Sequence, residues 1–193
     1  MGEAQVMMDP PLDLLILGLG NLLCGDDGAG VAAITRLARD HEEPEGVRIL
    51  DGGTLGLALL PWIRSAKTVL LVDAVLADAP PGTIVRIEGD EVTRAVAQRL
   101  SVHQVGVADL LDGARLLGGL PERVILIGIV PGQMNLEVAL SPAVAEGLGA
   151  LVDATIAEAK AVGFALAPRE DSVNARSRVG HGGAAVELLE LLG

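Results

Sequence analysis

Five polar residues stand where chain segments typical of buried strands end, or where a helix begins. They are Asp26 and Asp27 after the first apolar segment, Asp51 after the second, Asp73 at the end of the third, and His103 ahead of a later helical segment. Ligands of open α/β sheets bind beyond the carboxyl ends of the strands, so we expect these side chains to meet at one sheet edge. Two carboxylates and a neutral imidazole form a donor set for a divalent ion such as nickel or zinc. Three protein ligands leave coordination positions open for water or a substrate group.

Each of these residues also has a structural interpretation. Asp27 could cap the helix that begins near Gly28, and Asp51 could stabilise the turn that follows it. Asp73 is harder to explain in this way, because a carboxylate inside an apolar strand needs a partner or a ligand to offset its burial. His103 could be a core histidine, but the positive end of a helix dipole favours the neutral imidazole, which is the form that binds metals.

Five apolar segments that favour β structure predict the strands that position these groups. They cover residues 13–20, 47–50, 68–75, 83–88 and 123–130. Segments with helical spacing of apolar residues lie between and after them, over residues 28–39, 54–65, 104–117 and 142–162. This alternation predicts an α/β three-layer sandwich, with a mostly parallel twisted sheet of about five strands and helices on both faces. The segment 83–88 alternates in polarity and is typical of an edge strand.

Two other protein classes place acids or glycines at the same positions. A dinucleotide-binding Rossmann module would also begin with Gly18 and Gly20, but Leu23 stands where its third glycine is required. A phosphoryl receiver domain shares the acid pair and a later aspartate, but it requires a lysine after the last strand. The chain has only Lys67 and Lys160, and neither lies there. Both alternatives are therefore disfavoured.

Length and hydropathy indicate one folded domain. The chain has 193 residues, half of them hydrophobic, and its mean hydropathy is +0.49, which allows one sizeable core. We expect the domain to span residues 1–168. Residues 169–193 lose apolar periodicity, so we expect a flexible tail there.

Charge and cysteine content narrow the possible partners and compartment. Fourteen basic and 26 acidic residues give a net charge of −12, which argues against binding to nucleic acid or to an anionic membrane. The single cysteine, Cys24, excludes an internal disulfide and a cysteine-based zinc cluster, and we expect it to be incidental. No apolar run reaches the roughly 18 residues that span a bilayer, and the N-terminus lacks the pattern of a secretory signal. These features predict a cytoplasmic location.

Four motifs, in order along the chain, resemble those of the [NiFe]-hydrogenase maturation endopeptidases. They are LGLGNLLCGDDGAGV, ILDGGTLGLALL, LLVDAV and SVHQVGVADLL. A fifth stretch, VILIGIVPGQMNLEVALSPAV, resembles the last strand of that family and the approach to its last helix. The resemblance covers residues 14–162, and the combination is far more specific than any single motif.

The resemblance implies an endopeptidase that removes a short C-terminal peptide from the precursor of a hydrogenase large subunit after nickel has been installed. The nickel is then carried by the substrate, and no organic cofactor is implied. The resemblance also favours a monomer that meets its protein substrate transiently.

Residue by residue, the resemblance places the metal-contacting groups at Asp27, Asp73 and His103. The family often has glutamate at the first position, and Asp27 is one methylene shorter but keeps the carboxylate. Asp51 matches the acid of the DGGT motif, and either Asp51 or a free acid of the Asp26–Asp27 pair could act as a general base. Nickel could activate water as a Lewis acid or only dock the substrate.

Overall fold

A single five-stranded sheet organises the part of the chain that the computed structural model describes, residues 11–97 and 107–170. The strands are β1 (Leu12–Leu19), β2 (Val47–Gly53), β3 (Ala66–Ala74), β4 (Ile84–Glu88) and β5 (Arg123–Ile129). Their order across the sheet is β2-β1-β3-β5-β4, and all neighbours are parallel except β4, which runs antiparallel to β5. The predicted fold class is confirmed, and the segment predicted as an edge strand is one.

Helices cover both faces of this sheet. They are α1 (Ala29–Asp40), α2 (Leu60–Ser65), α3 (Asp90–Ala97), α4 (Val107–Leu116) and α5 (Pro142–Ala161), with short 3₁₀ turns at Gly25–Gly28 and Gly56–Leu59. None of the described helices is long and apolar enough to cross a membrane.

The core divides into two clusters because successive side chains of a strand point to opposite faces. In β1, Leu15 and Leu17 pack into the cluster that contains buried residues of α2, α3 and α4. Leu14 and Ile16 instead join the cluster that contains buried residues of α1 and α5. The central strands are therefore buried on both faces, as their nearly continuous apolar sequences predict.

Several element boundaries differ from the prediction. β2 continues to Gly53 rather than ending at residue 50, so Asp51 lies within the strand and pairs in register with Gly18 of β1. The helix predicted over 54–65 is divided into a 3₁₀ turn and α2, which has Pro61 in its first turn, where the missing N–H costs no helical hydrogen bond. α3 was not predicted. The predicted helix over 104–117 is described from Val107, and His103 lies outside the described residues.

The last described residues, up to residue 170, contact the C-terminal end of α1. The backbone N–H of Arg169 donates to the carbonyl of Asp40 at 2.8 Å, and the Arg169 guanidinium donates to the carbonyl of His41 at 3.0 Å. The remainder of the predicted tail, from residue 171, lies outside the described residues.

An ion-pair network fastens α5 to the edge strand β4. The Arg86 guanidinium donates to both carboxylate oxygens of Glu158, at 2.7 and 2.8 Å, and also to Glu88, which accepts from Arg123 of β5. Hydrogen bonding from Arg86 lowers the pKa of the Glu158 carboxyl, and Glu158 is 9% exposed. Bidentate geometry of this kind is the stronger form of an arginine–carboxylate pair.

Glu158→Gln is expected to lower the free energy of unfolding by about 1–2 kcal/mol at neutral pH, a value discounted for the partial exposure of Arg86. Because the pKa of Glu158 is lowered on folding, its contribution is present above the unfolded-state pKa and is lost as the pH falls through the folded-state pKa. Urea unfolding at neutral pH and at about pH 3 measures the difference. The same substitution at the exposed Glu146 of α5 is the matched control and should have little effect. An equal loss for Glu158→Gln at both pH values would contradict this assignment.

Candidate functional site

The loop after β1 folds back on itself so tightly that Gly20 must lack a side chain. Gly20 has a φ of 123°, and a Cβ there would lie 1.7 Å from the carbonyl oxygen of Asp27. The N–H of Asn21 donates to Asp27 Oδ2 at 2.8 Å. The N-cap residue of α1 is Gly28, and the carboxylate of Asp27, directly before it, closes the loop. Asp27 is only 4% exposed.

Gly30, in the first turn of α1, brings this loop against the ends of two central strands. A Cβ at Gly30 would lie 2.2 Å from the carbonyl oxygen of Val72, 2.4 Å from that of Leu19 and 2.9 Å from Cα of Asp73. Only glycine allows this approach. The loop that carries Asp27 and the strand end that carries Asp73 are therefore neighbours at the carboxyl edge of the sheet.

Asp73 is the penultimate residue of β3 and is 1% exposed. Its Oδ1 accepts a hydrogen bond from the N–H of Ala74 at 2.9 Å. The structure thus brings two predicted site residues, Asp27 and Asp73, to the same sheet edge, and both are buried. Carboxylates in such a position can supply anionic oxygen donors to a cation or accept a proton.

The adjacent Asp26 accepts hydrogen bonds from a segment far along the chain. It is fully buried, and its Oδ2 accepts from the N–H groups of Gly132 at 2.7 Å and Gln133 at 2.9 Å, while its Oδ1 accepts from Ser141 at 2.6 Å. Through these three hydrogen bonds the Asp26 carboxylate links the loop after β1 to the segment between β5 and α5, and we call this link the Asp26 tie. Its geometry does not favour a general base.

Backbone hydrogen bonds reinforce this tie. Asp26 N–H donates to the carbonyl of Gln133, Glu137 N–H to that of Leu23, and Gly25 N–H to that of Glu137. The backbone of Cys24 forms an isolated parallel β-bridge with that of Glu137, and the Cys24 thiol is free and partly buried. The loop 20–28 and the segment 131–141 therefore act as one unit. Sequence reasoning missed it because nothing local to either segment identifies its partner.

Of the other two predicted site residues, Asp51 and His103, only Asp51 is among the described residues. Asp51 is exposed on β2, opposite Gly18, one strand away from β3. His103 lies outside the described residues, so its relation to Asp27 and Asp73 stays a prediction. Within residues 11–97 and 107–170, no group of three or more His, Cys, Asp or Glu side chains is arranged to hold a metal ion. The predicted ligand set would need His103 to complete it.

Comparisons with known proteins place this fold in a defined class. The model of the HycI hydrogenase maturation protease family matches residues 31–158. The hydrogenase expression/formation protein HupD of Rhodobacter capsulatus is 39% identical over 156 residues, which are 80% of this chain and 74% of HupD. The hydrogenase 2 maturation protease of Escherichia coli is 31% identical over 158 residues, covering 81% of this chain and 96% of that protein.

Solved structures agree with the sequence relatives. The hydrogenase maturating endopeptidase HybD from E. coli superposes with a TM-score of 0.77 at 31% identity, covering 83% of this chain and all of HybD. The [NiFe] hydrogenase maturation protease HybD from Thermococcus kodakarensis has a TM-score of 0.58 at 31% identity, covering 78% of this chain and 99% of that one. These α/β folds define a class of peptidase. The chain belongs to the hydrogenase maturation protease family, and it is an endopeptidase.

Proposed function

We propose that this endopeptidase removes a short C-terminal peptide from the nickel-loaded precursor of a [NiFe]-hydrogenase large subunit. The observation that carries the proposal is the burial of Asp27 and Asp73 at one sheet edge. The close approach of Gly30 to the ends of β1 and β3 brings the loop with Asp27 next to the strand end with Asp73. The E. coli relative, a hydrogenase 2 maturation protease, supports the substrate class.

The nickel ion enters with the substrate in this proposal. The carboxylates of Asp27 and Asp73, with His103 as the third group, contact the nickel of the precursor and so recognise a loaded substrate. Imidazole and carboxylate donors suit nickel, and three protein groups leave positions for the ligands that the precursor supplies. A precursor without nickel lacks the feature that is recognised, which makes the cleavage a checkpoint for metal loading.

Proton transfer during hydrolysis is assigned to Asp51 rather than to Asp26. Asp51 is exposed on β2, which pairs with β1, and can reach solvent, whereas both oxygens of Asp26 already accept backbone hydrogen bonds. A general base must be able to take a proton from the attacking water, and an open carboxylate can do so. The enzyme is proposed to act as a cytoplasmic monomer that uses no organic cofactor and binds neither nucleic acid nor membrane.

Only nickel-loaded precursor is expected to be cut. Purified enzyme is incubated with the hydrogenase large-subunit precursor in nickel-loaded and nickel-free forms, and intact mass is followed over time. A loss equal to a short C-terminal peptide should occur in the loaded sample alone, because the carboxylates have no cation to contact in the other. Unrelated proteins serve as the control. Equal cleavage of both precursor forms, or cleavage of the unrelated proteins, would contradict the proposal.

A further inference from the structure

Five apolar side chains are exposed on the two joined segments, 20–28 and 131–141. They are Leu22, Leu23, Met134, Leu136 and Val138, and we call them the apolar platform. Leu136 is the most open of them, at 86% exposure. Single exposed leucines are common on protein surfaces, whereas several exposed apolar side chains on two joined segments are typical of a binding surface.

The platform is held rigidly although its side chains are open to solvent. The Asp26 carboxylate ties residues 132, 133 and 141, and backbone bonds join Leu23 and Gly25 to Glu137. Gly28 lies so close to the loop that a Cβ there would be 2.9 Å from Cα of Leu22. A surface fixed in advance loses less conformational entropy when a partner binds than a mobile loop does.

The platform is continuous with the edge that carries the buried carboxylates. Leu22 and Leu23 belong to the same loop as Asp27, whose Oδ2 accepts the N–H of Asn21. A polypeptide that lies across the platform therefore passes beside Asp27.

The charge of the two segments restricts what can bind. Residues 20–28 and 131–141 contain three carboxylates, Asp26, Asp27 and Glu137, and no lysine or arginine. Asp26 and Asp27 are buried, and Glu137 Oε2 accepts from the Gln133 side-chain amide at 3.1 Å. Such a surface complements a neutral or cationic apolar polypeptide and repels the phosphates of nucleic acid and of anionic lipids.

We propose that the apolar platform is the docking surface for an apolar segment of the protein substrate that flanks the bond to be cut. The proposal rests on the proposed function, since it assigns the substrate contact of the same site. The platform supplies binding energy that is equal in the ground state and the transition state, so its loss raises KM and leaves kcat unchanged.

The test compares Leu136→Asp with Leu116→Asp. Leu116 is 87% exposed and ends α4, and the segment after it leads to the amino edge of the sheet, where Glu122 N–H donates to the Lys67 carbonyl. The two substitutions are thus matched in chemistry and exposure but lie at opposite edges. For cleavage of nickel-loaded precursor, Leu136→Asp should raise KM at least ~10-fold with kcat within about 2-fold of wild type. Leu116→Asp should change neither constant, and the milder Leu136→Ser should shift KM in the same direction by less.

Binding of the uncut precursor, measured by titration, separates this proposal from the proposed function. Wild type that binds precursor, and loses binding on Leu136→Asp, supports the platform even if no cleavage occurs, and the proposed function then fails alone. Wild type that cleaves normally, with the same KM in both aspartate variants, overturns the platform and leaves the proposed function standing. A wild-type dimer in sedimentation that Leu136→Asp dissociates, with KM unchanged, assigns the surface to a second copy of this chain and also overturns the proposal. Absence of both binding and cleavage overturns both.

Discussion

Asp73→Asn is expected to reduce cleavage of nickel-loaded precursor by about 10²–10³-fold, the range typical when one preorganised electrostatic contact is removed, because the charge proposed to contact nickel is lost. The change removes a negative charge at nearly constant volume, and the amide oxygen of the substituted side chain can still accept the N–H of Ala74. Stability should therefore stay close to that of wild type. Asp27→Asn should behave in the same way, since its side-chain oxygen can still accept the N–H of Asn21.

His103→Ala should also abolish processing if this residue is the third group that contacts nickel. Rates are measured from the mass loss of loaded precursor, and folding from circular dichroism and urea unfolding. The control is Asp13→Asn, because Asp13 lies on β1 near the opposite edge and its Oδ1 is 2.7 Å from Lys67 Nζ. Wild-type rates in Asp73→Asn, or a similar loss of rate in Asp13→Asn, would remove the support for the carboxylate pair.

Asp26→Ala is expected to lower the free energy of unfolding by about 3–5 kcal/mol, because three backbone N–H groups lose a charged acceptor at once. The backbone bonds between the two segments then have to hold the platform alone. Hydrogen exchange of the Gly132, Gln133 and Ser141 amides should accelerate well beyond that of amides in the central strands, such as those of β3.

Asp27→Asn provides the matched comparison, since it alters the neighbouring carboxylate and leaves the tie intact. It should lose cleavage while keeping stability, whereas Asp26→Ala should lose stability first. If Asp26→Ala is as stable as wild type and its three amides stay protected, the carboxylate does not hold the two segments together.

The order of strands and helices could be predicted because its signal is local. Nearly continuous apolar runs predicted β1, β3 and β5 to within two residues at each end, and the alternating segment after Pro80 and Pro81 predicted the edge strand. The missed α3 follows directly from β4 and begins with Asp90 and Glu91 in its first turn. Acidic residues favour a helix N-terminus, so a signal for this helix was present in the sequence.

The sequence predicted where the candidate site lies in the sheet. It did not predict the local structure around each of the site's residues. The rule that ligands bind beyond the carboxyl ends of strands predicted Asp27 and Asp73 at one edge, and both lie there in the structure. The extension of β2 through Asp51 depends on pairing with β1, including the shift in register after Gly18. Such pairing joins residues far apart in sequence, so a pattern within residues 47–53 cannot reveal it.

The sequence by itself determined the α/β class, the alternation that builds the sheet and the carboxylates at its strand ends. Tertiary structure alone decided that two adjacent aspartates have different hydrogen-bond partners. Asp26 accepts hydrogen bonds from N–H groups 106 to 115 residues further along the chain, whereas Asp27 closes its own loop and lies beside the end of β3. Residues that are adjacent in sequence have the same local sequence context. The hydrogen bonds that a buried carboxylate accepts depend instead on which donors surround it. Those donors are brought to it only when the chain folds.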